Sequence, residues 1–215
     1  MNEMMAWPYW GMFAMGLILT LKVTAAAYVG ALILGTAATA MRTSPLLPVR
    51  WAGVAYVEVV RNVPALALVF LAVFGLPQIG IMVSLLWSVI AVLAIYEGAF
   101  VCEALRAGIN TVDLGSTEAS RALGLNNRQT LVYIVLPQAI RSVVQPLTNV
   151  FIKTAINSSL IAIVGLADLT GVAQRVNIRE AEPLLFFGAG LTYVAIAMLG
   201  GVFGGYIDRK VRFRR

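Results

Sequence analysis

Long apolar stretches alternate with short polar ones along the chain, and each stretch is long enough to be read against the thickness of a bilayer. The first runs from Gly11 to Ala40 and is interrupted only by Lys22. Others follow over 51–75, 81–105, 143–166 and 184–207. A spanning helix needs roughly 20 mainly apolar residues, and each run meets that length. No charge occurs between Arg61 and Glu97, a stretch too long for one span. Within it, FGLPQIG (Phe74–Gly80) supplies a turn through Pro77 and two glycines. The pattern predicts an all-α chain with five transmembrane helices in a single membrane domain over 1–215. A polar segment over 110–141 separates the third helix from the fourth.

Composition supports this class. Of 215 residues, 60% are hydrophobic and 12% charged, about half the charge fraction usual in a soluble domain. Strand-period alternation is absent, which disfavours a membrane barrel. The first apolar run is long enough to span and has no basic residues before it, so no secretory signal peptide is expected. The chain has no histidine and one cysteine, Cys102, in an apolar run. A disulfide framework and a cysteine metal site are therefore excluded, and Cys102 is expected as a small buried residue. The commonest general base and metal ligand is missing. No catalytic or metal site is expected.

The net charge is +6, and its placement sets an expected orientation. Lys and Arg concentrate on the cytoplasmic side of membrane proteins. With the N-terminus outside, the inner segments collect Arg42, Arg50, Arg106, Arg121, Arg128, Arg141, Arg209, Lys210, Arg212, Arg214 and Arg215. The outer segments hold Arg175 and Arg179, offset by Asp168, Glu180 and Glu182. Trp7, Tyr9 and Trp10 would form an outer aromatic belt, and the terminal RKVRFRR an anchor at the inner surface, with no nucleic-acid role. The expected arrangement is multi-pass, with the N-terminus outside and the C-terminus in the cytoplasm.

The polar segment holds EASRALGLNNRQTLVYIVLP (Glu118–Pro137). Ser116 and Thr117 are candidate caps, with Glu118 in the first turn favouring the helix dipole. Ala119, Ala122 and Leu123 give a short apolar stripe, and Gly124 ends the helix. A second helix over roughly 127–135 returns to the membrane, with Pro137 marking its limit. Physics alone leaves two readings open: an amphipathic helix resting on lipid, or a handle for another protein.

The spacing decides between them. Glu118, Ala119 and Ser120, then Gly124 after three intervening residues, then Ile134, Leu136 and Pro137, resemble the EAA loop of ABC-transporter permeases, which implies a place in a prokaryotic plasma membrane. One departure is visible, Ser120 in place of the third-position alanine. YVEVVRNVPALALVF (Tyr56–Phe70), EALRAGINTV (Glu103–Val112) and NSSLIAIVGLADL (Asn157–Leu169) are similar to segments of polar amino-acid permeases, and TAMRTSP, RNVP and RAGINTV look closest to glutamate-type ones. The resemblance implies an importer permease fold like that of methionine permeases. Glu118, Ala119, Ser120, Leu123, Gly124, Leu125 and Pro137 would couple it to an ATPase. It also implies partners: two cytoplasmic ABC ATPase subunits that bind ATP and magnesium, a second permease chain (the same or a related one), and an extracytoplasmic solute-binding protein. The chain itself has no cofactor and no P-loop, since Lys22, Lys153 and Lys210 are its only lysines and none follows a glycine-rich loop.

Ionisable residues inside spans mark functional candidates. Glu58 and Arg61 are three apart and read either as a mutual pair or as a lining of the solute path beside Asn62 and a kink at Pro64. Glu103 and Arg106 repeat that spacing as an expected interfacial pair. Glu97 has no partner in its own sequence neighbourhood, and Lys153 and Arg61 are candidates from other helices. Lys153 and Asn157 share a face of the fourth helix, followed by Ser158 and Ser159, which read as solute contacts or as helix–helix glue. Asn157, with Lys153 and Arg61 near it, favours an anionic or neutral amino acid: glutamate first, then aspartate or glutamine. The alternatives are another polar or basic amino acid, or an ion-gradient-driven transporter or channel. A membrane enzyme would need a nucleophile–base or metal constellation, and none is present. The glycines of GGVFGG suit close helix approach, within the chain or between two permeases.

Overall fold

The computed structural model describes residues 7–181 and 183–211, and the side chains of all of these except Trp7 and Pro8. Glu182, Arg212, Arg214, Arg215 and the Trp7 ring, all named above, lie outside the described residues. The regular structure of the described residues is all helical: α1 Trp7–Arg42, α2 Leu47–Asn62, α3 Ala65–Phe70, α4 Leu76–Gln78, α5 Leu85–Asn110, α6 Leu114–Ala122, α7 Asn127–Gln129, α8 Leu136–Asn157, α9 Leu169–Glu180 and α10 Leu184–Val211. Turns of π helix fill Leu71–Gly75 and Thr130–Val135, and a 3-10 turn covers Ser158–Ala162.

Helices α1, α5 and α10 are each long and apolar enough to cross a membrane. The expected second span, 51–75, is not one rod. It breaks after Asn62, and the two arms, Leu47–Asn62 and Ala65–Gln78, meet at 102°. Pro64 is the cause. It forces Val63 out of the helical region, to φ −99° and ψ 136°, because the proline ring crowds the residue before it. The expected fourth span, 143–166, is shifted. Its helix starts before Pro137 and ends at Asn157, and residues 158–166 form a 3-10 turn and a bend through Gly165.

Helices α1 and α5 run side by side in the same direction and form the centre. A side chain on Gly35 would collide with Val101 and the Gly98 carbonyl, so glycine is what permits this approach. Helix α8 lies antiparallel to α5. Ser142 Oγ donates to the Gly108 carbonyl near one end (3.0 Å), and Asn157 meets Glu97 toward the other. Tyr56 of α2 donates to the Ile95 carbonyl at 2.6 Å, and Tyr28 of α1 to the Leu147 carbonyl of α8 at 3.1 Å. Cys102 is buried with Ala38, Val57 and Ala99. In GGVFGG, Gly200 and Gly204 face Phe151 and Thr148 of α8, while Gly201 and Gly205 have open space beside them. The first pair is therefore intrachain packing.

Candidate functional site

The polar segment forms an elbow at the arginine-rich end of the bundle. Helix α6 begins earlier than expected, with Asp113 at the N-cap position and making no side-chain cap bond. Ser116 and Thr117 therefore lie inside the helix, and Thr117 Oγ1 donates back to the Leu114 carbonyl at 2.7 Å. Gly124 ends the helix as expected, at φ +83°. The Gly124 N–H donates to the Arg121 carbonyl (2.9 Å) and the Leu125 N–H to the Ser120 carbonyl (3.1 Å). This is the Schellman pairing, which a residue at positive φ makes possible. The next helix opens on a capping box: Asn126 Oδ1 accepts from the Gln129 N–H, and Gln129 Oε1 from the Asn126 N–H, both at 2.9 Å. The Asn-x-x-Gln spacing carries that signal in the sequence.

Glu118, Ala119, Ala122 and Leu123 all face outward, Leu123 being 82% exposed. The stripe expected on α6 is thus exposed rather than packed into the bundle. Ser120 is the exception at 2% exposure. Its hydroxyl donates to the Thr117 carbonyl at 2.7 Å and lies 3.0 Å from Thr130 Oγ1. With the serine proton committed, Thr130 is the donor across the elbow.

Pro137 does not end the second helix. Chain 127–157 is helical throughout, by way of the π turn Thr130–Val135. A proline inside a helix lacks an N–H and clashes with the carbonyl four residues back, and the wider turn placed just before it absorbs both. Leu76–Pro77 follows the π turn Leu71–Gly75 in the same way.

A second polar group lies along one side of α5, where Glu97, Phe100, Glu103 and Arg106 recur every three residues. Glu97 is fully buried. Its Oε1 accepts from Asn157 Nδ2 of α8 at 2.6 Å, and its Oε2 has no protein partner. Lys153 Nζ sits 3.2 Å from the centre of the Phe100 ring and 5.0 Å from that of Tyr96. Arg61 of α2 approaches the same Phe100, with Cζ 5.4 Å from its centre. The structure thus brings together Glu97, Asn157, Lys153 and Arg61 from three helices.

Of the two readings of Glu58 and Arg61, the mutual pair is not formed. Glu58 is exposed, and its backbone carbonyl accepts from Asn62 Nδ2 at 2.6 Å. Arg61 turns instead to Glu103, 3.8 Å away. Glu103 also meets Arg106 at 3.7 Å, as the spacing predicted, and Arg42 at the end of α1. One carboxylate therefore ties together α1, α2 and α5. Arg42 was read only as an orientation marker, because a partner sixty residues away leaves no trace in local spacing. Ser158 and Ser159 donate to the Ala155 and Ile156 carbonyls of their own turn, both at 2.7 Å. Their hydroxyls bridge no other helix.

A broken membrane helix, a mixed-charge group at its break and an outward-facing elbow are the features to compare with known proteins. The family described as "Binding-protein-dependent transport system inner membrane component" matches residues 27–213. The chain belongs to this family. Among curated relatives of this inner membrane component, the probable glutamine ABC transporter permease protein GlnM of Bacillus subtilis is 38% identical, covering 98% of each chain. The arginine transport system permease protein ArtQ of Bacillus subtilis is 30% identical over 92% of this chain and 91% of its own. The glutamate transport system permease protein GluC of Corynebacterium glutamicum is 34% identical over 83% and 86%. A crystal structure of an amino acid ABC transporter with histidines superposes with a TM-score of 0.92 at 29% identity, over 98% of this chain and 99% of that one. An inward-facing MetNI methionine ABC transporter gives a TM-score of 0.79 at 20% identity, over 99% and 100%. The expected fold is that of these transporters' membrane subunits.

Proposed function

We propose that this chain is the permease subunit of an ATP-driven importer for amino acids, with acidic amino acids, glutamate foremost, as its solutes. The observation that carries the solute is the group around Phe100. The unpartnered Oε2 of Glu97 is an acceptor for the solute's ammonium. Lys153, held against the Phe100 ring, and Arg61, which shares that ring and a 3.8 Å approach to Glu103, are donors for its carboxylates. Within the membrane such groups are costly unless they line a path or pair with one another. Four cations, Arg42, Arg61, Arg106 and Lys153, face two carboxylates, Glu97 and Glu103, so the group suits an anion better than a cation.

The arginine-rich end, with the elbow, faces the cytoplasm and the N-terminus faces outward, as the distribution of basic residues implies. Two ATPase subunits dock on the exposed stripe of α6 and hydrolyse ATP. A second permease chain, identical or related, completes the path, and a solute-binding protein delivers the amino acid. ATP and the docked protein together shift the bundle between inward- and outward-open states.

The test is uptake by proteoliposomes holding this chain, its partner permease, the ATPase and the binding protein, with labelled glutamate, aspartate, glutamine and arginine. Glutamate uptake that requires both ATP and the binding protein is expected. Arginine uptake in preference to glutamate would overturn the reading of Lys153 and Arg61 while leaving the importer in place. Glutamine belongs in the panel because a side-chain amide also fits donors at that position.

A further inference from the structure

We propose that the solvent-facing side of α9 is the docking surface for the solute-binding protein, and that it receives an acidic rim of that protein. The proposal rests on the importer reading, which puts this end of the bundle outside.

Helix α9 is held as a rigid platform. Asp168 caps it, with Oδ1 accepting from the Gly171 N–H at 2.8 Å and Oδ2 from the Tyr193 hydroxyl of α10 at 3.0 Å. The Leu169 N–H donates to Thr20 Oγ1 of α1 at 3.1 Å, and Thr170 bonds Tyr193 at 3.2 Å. Leu169, Val172, Ala173 and Val176 are buried beneath it. The helix therefore has one face welded to α1 and α10 and one face free.

The free face is basic. Gln174, Arg175, Ile178 and Arg179 are all exposed, Ile178 at 74%. Positions 174 and 178, and 175 and 179, are each four apart, so the four form one contiguous patch. Arg175 is fixed by a 2.6 Å bond from Nη2 to the Gly165 carbonyl, which holds its charge at the surface. Of the nearby acids, Asp168 is buried in the cap and Glu180 forms no ion pair with either arginine, while Glu182 lies outside the described residues. Among the described residues Arg179 has no carboxylate within ion-pair distance. Arg175 and Arg179 are the two basic residues that the expected orientation leaves on the outer side, against eleven on the inner side. A partner with acidic groups would use them, and the family's transport depends on a binding protein. An exposed isoleucine between two arginines gives the apolar centre and charged rim of a transient interface, and rim charges speed association.

The experiment measures the Kd of the solute-loaded binding protein for the complete permease–ATPase complex in nanodiscs, at two salt concentrations. Arg179→Glu is expected to weaken binding about tenfold and flatten its salt dependence, since reversing a rim charge acts through k_on. Gln174→Arg is expected to tighten it about threefold, a gain that misfolding cannot produce. ATP hydrolysis without binding protein should match wild type in both. Unchanged affinity and salt dependence in both variants overturns the proposal. So does an Arg179→Glu effect confined to nanodiscs of anionic lipid and absent in phosphatidylcholine, which would assign the patch to lipid headgroups. If the unmodified complex binds no binding protein at all, the importer reading itself falls and takes this surface with it.

Discussion

Lys153→Gln isolates the charge assigned to the solute. In the resting protein the ammonium sits 3.2 Å from the Phe100 ring centre and 5.0 Å from that of Tyr96. A half-buried cation over two rings is worth about 1–2 kcal/mol, a modest loss that the bundle tolerates. The effect on the solute is larger. A charged pair in a partly desolvated site costs about 2–5 kcal/mol when one member is truncated. Taking about 2 kcal/mol, because Lys153 keeps some access to water, and 1.4 kcal/mol per factor of ten, glutamate affinity falls about thirtyfold. The assay is equilibrium binding of labelled glutamate and glutamine to the permease–ATPase complex in nanodiscs without binding protein, so that the affinity belongs to the membrane site. Glutamine, which lacks the side-chain charge, should lose only a fewfold. Equal losses for both would mean that Lys153 supports the bundle and not the solute carboxylate, and no loss for either would remove it from the path.

Asn157→Leu leaves Glu97 buried without its 2.6 Å donor; hydrogen bonds to charged groups are worth about 1.5–3 kcal/mol, so the thermal transition of the purified complex should drop. Asn157→Asp places a second carboxylate against Glu97, and the same binding assay should show arginine gaining on glutamate. At Gly124 the backbone sits at φ +83° with open space where a side chain would go, so Gly124→Arg pays roughly 1–2 kcal/mol of backbone cost and puts a charge on the docking face. ATP hydrolysis that continues while uptake is lost is the expected outcome, and normal uptake would refute the coupling role. Ser120→Ala and Thr130→Val each break the hydroxyl bridge across the elbow, worth about 1 kcal/mol. ATP consumed per solute should rise in each single variant and no further in the double.

Much of this was legible because local patterns carried it. Gly124 stopped its helix, Cys102 was buried, and the α6 stripe faced out, each a matter of short spacing and residue type. Glu97 was singled out for lacking a partner nearby, and its bond comes from Asn157, sixty residues on. The readings that did not hold among the side chains share a cause. Spacing offered Glu58 to Arg61 and two serines to a neighbouring helix, yet Arg61 reached Glu103 and the serines bonded their own turns. A three-residue interval brings two side chains onto one face, but which partner wins depends on how helices cross, and that is settled by packing. Pro137 misled for a related reason. A proline breaks an ideal helix, and the pattern holds no sign that six residues of π turn will make room for it.

The run from Asn127 to Asn157 is thus a short arm, Asn127–Gln129, joined by the π turn Thr130–Val135 to a long arm, Leu136–Asn157, that carries a second proline at Pro146. At 1.5 Å per residue its thirty-odd residues reach about 45 Å, from the elbow to the Glu97 bond. A small swing at the short arm becomes a larger displacement at the long one. The position of the π turn therefore sets a gear ratio, and moving Pro137 by one turn would change how far the far end travels for each stroke at the elbow.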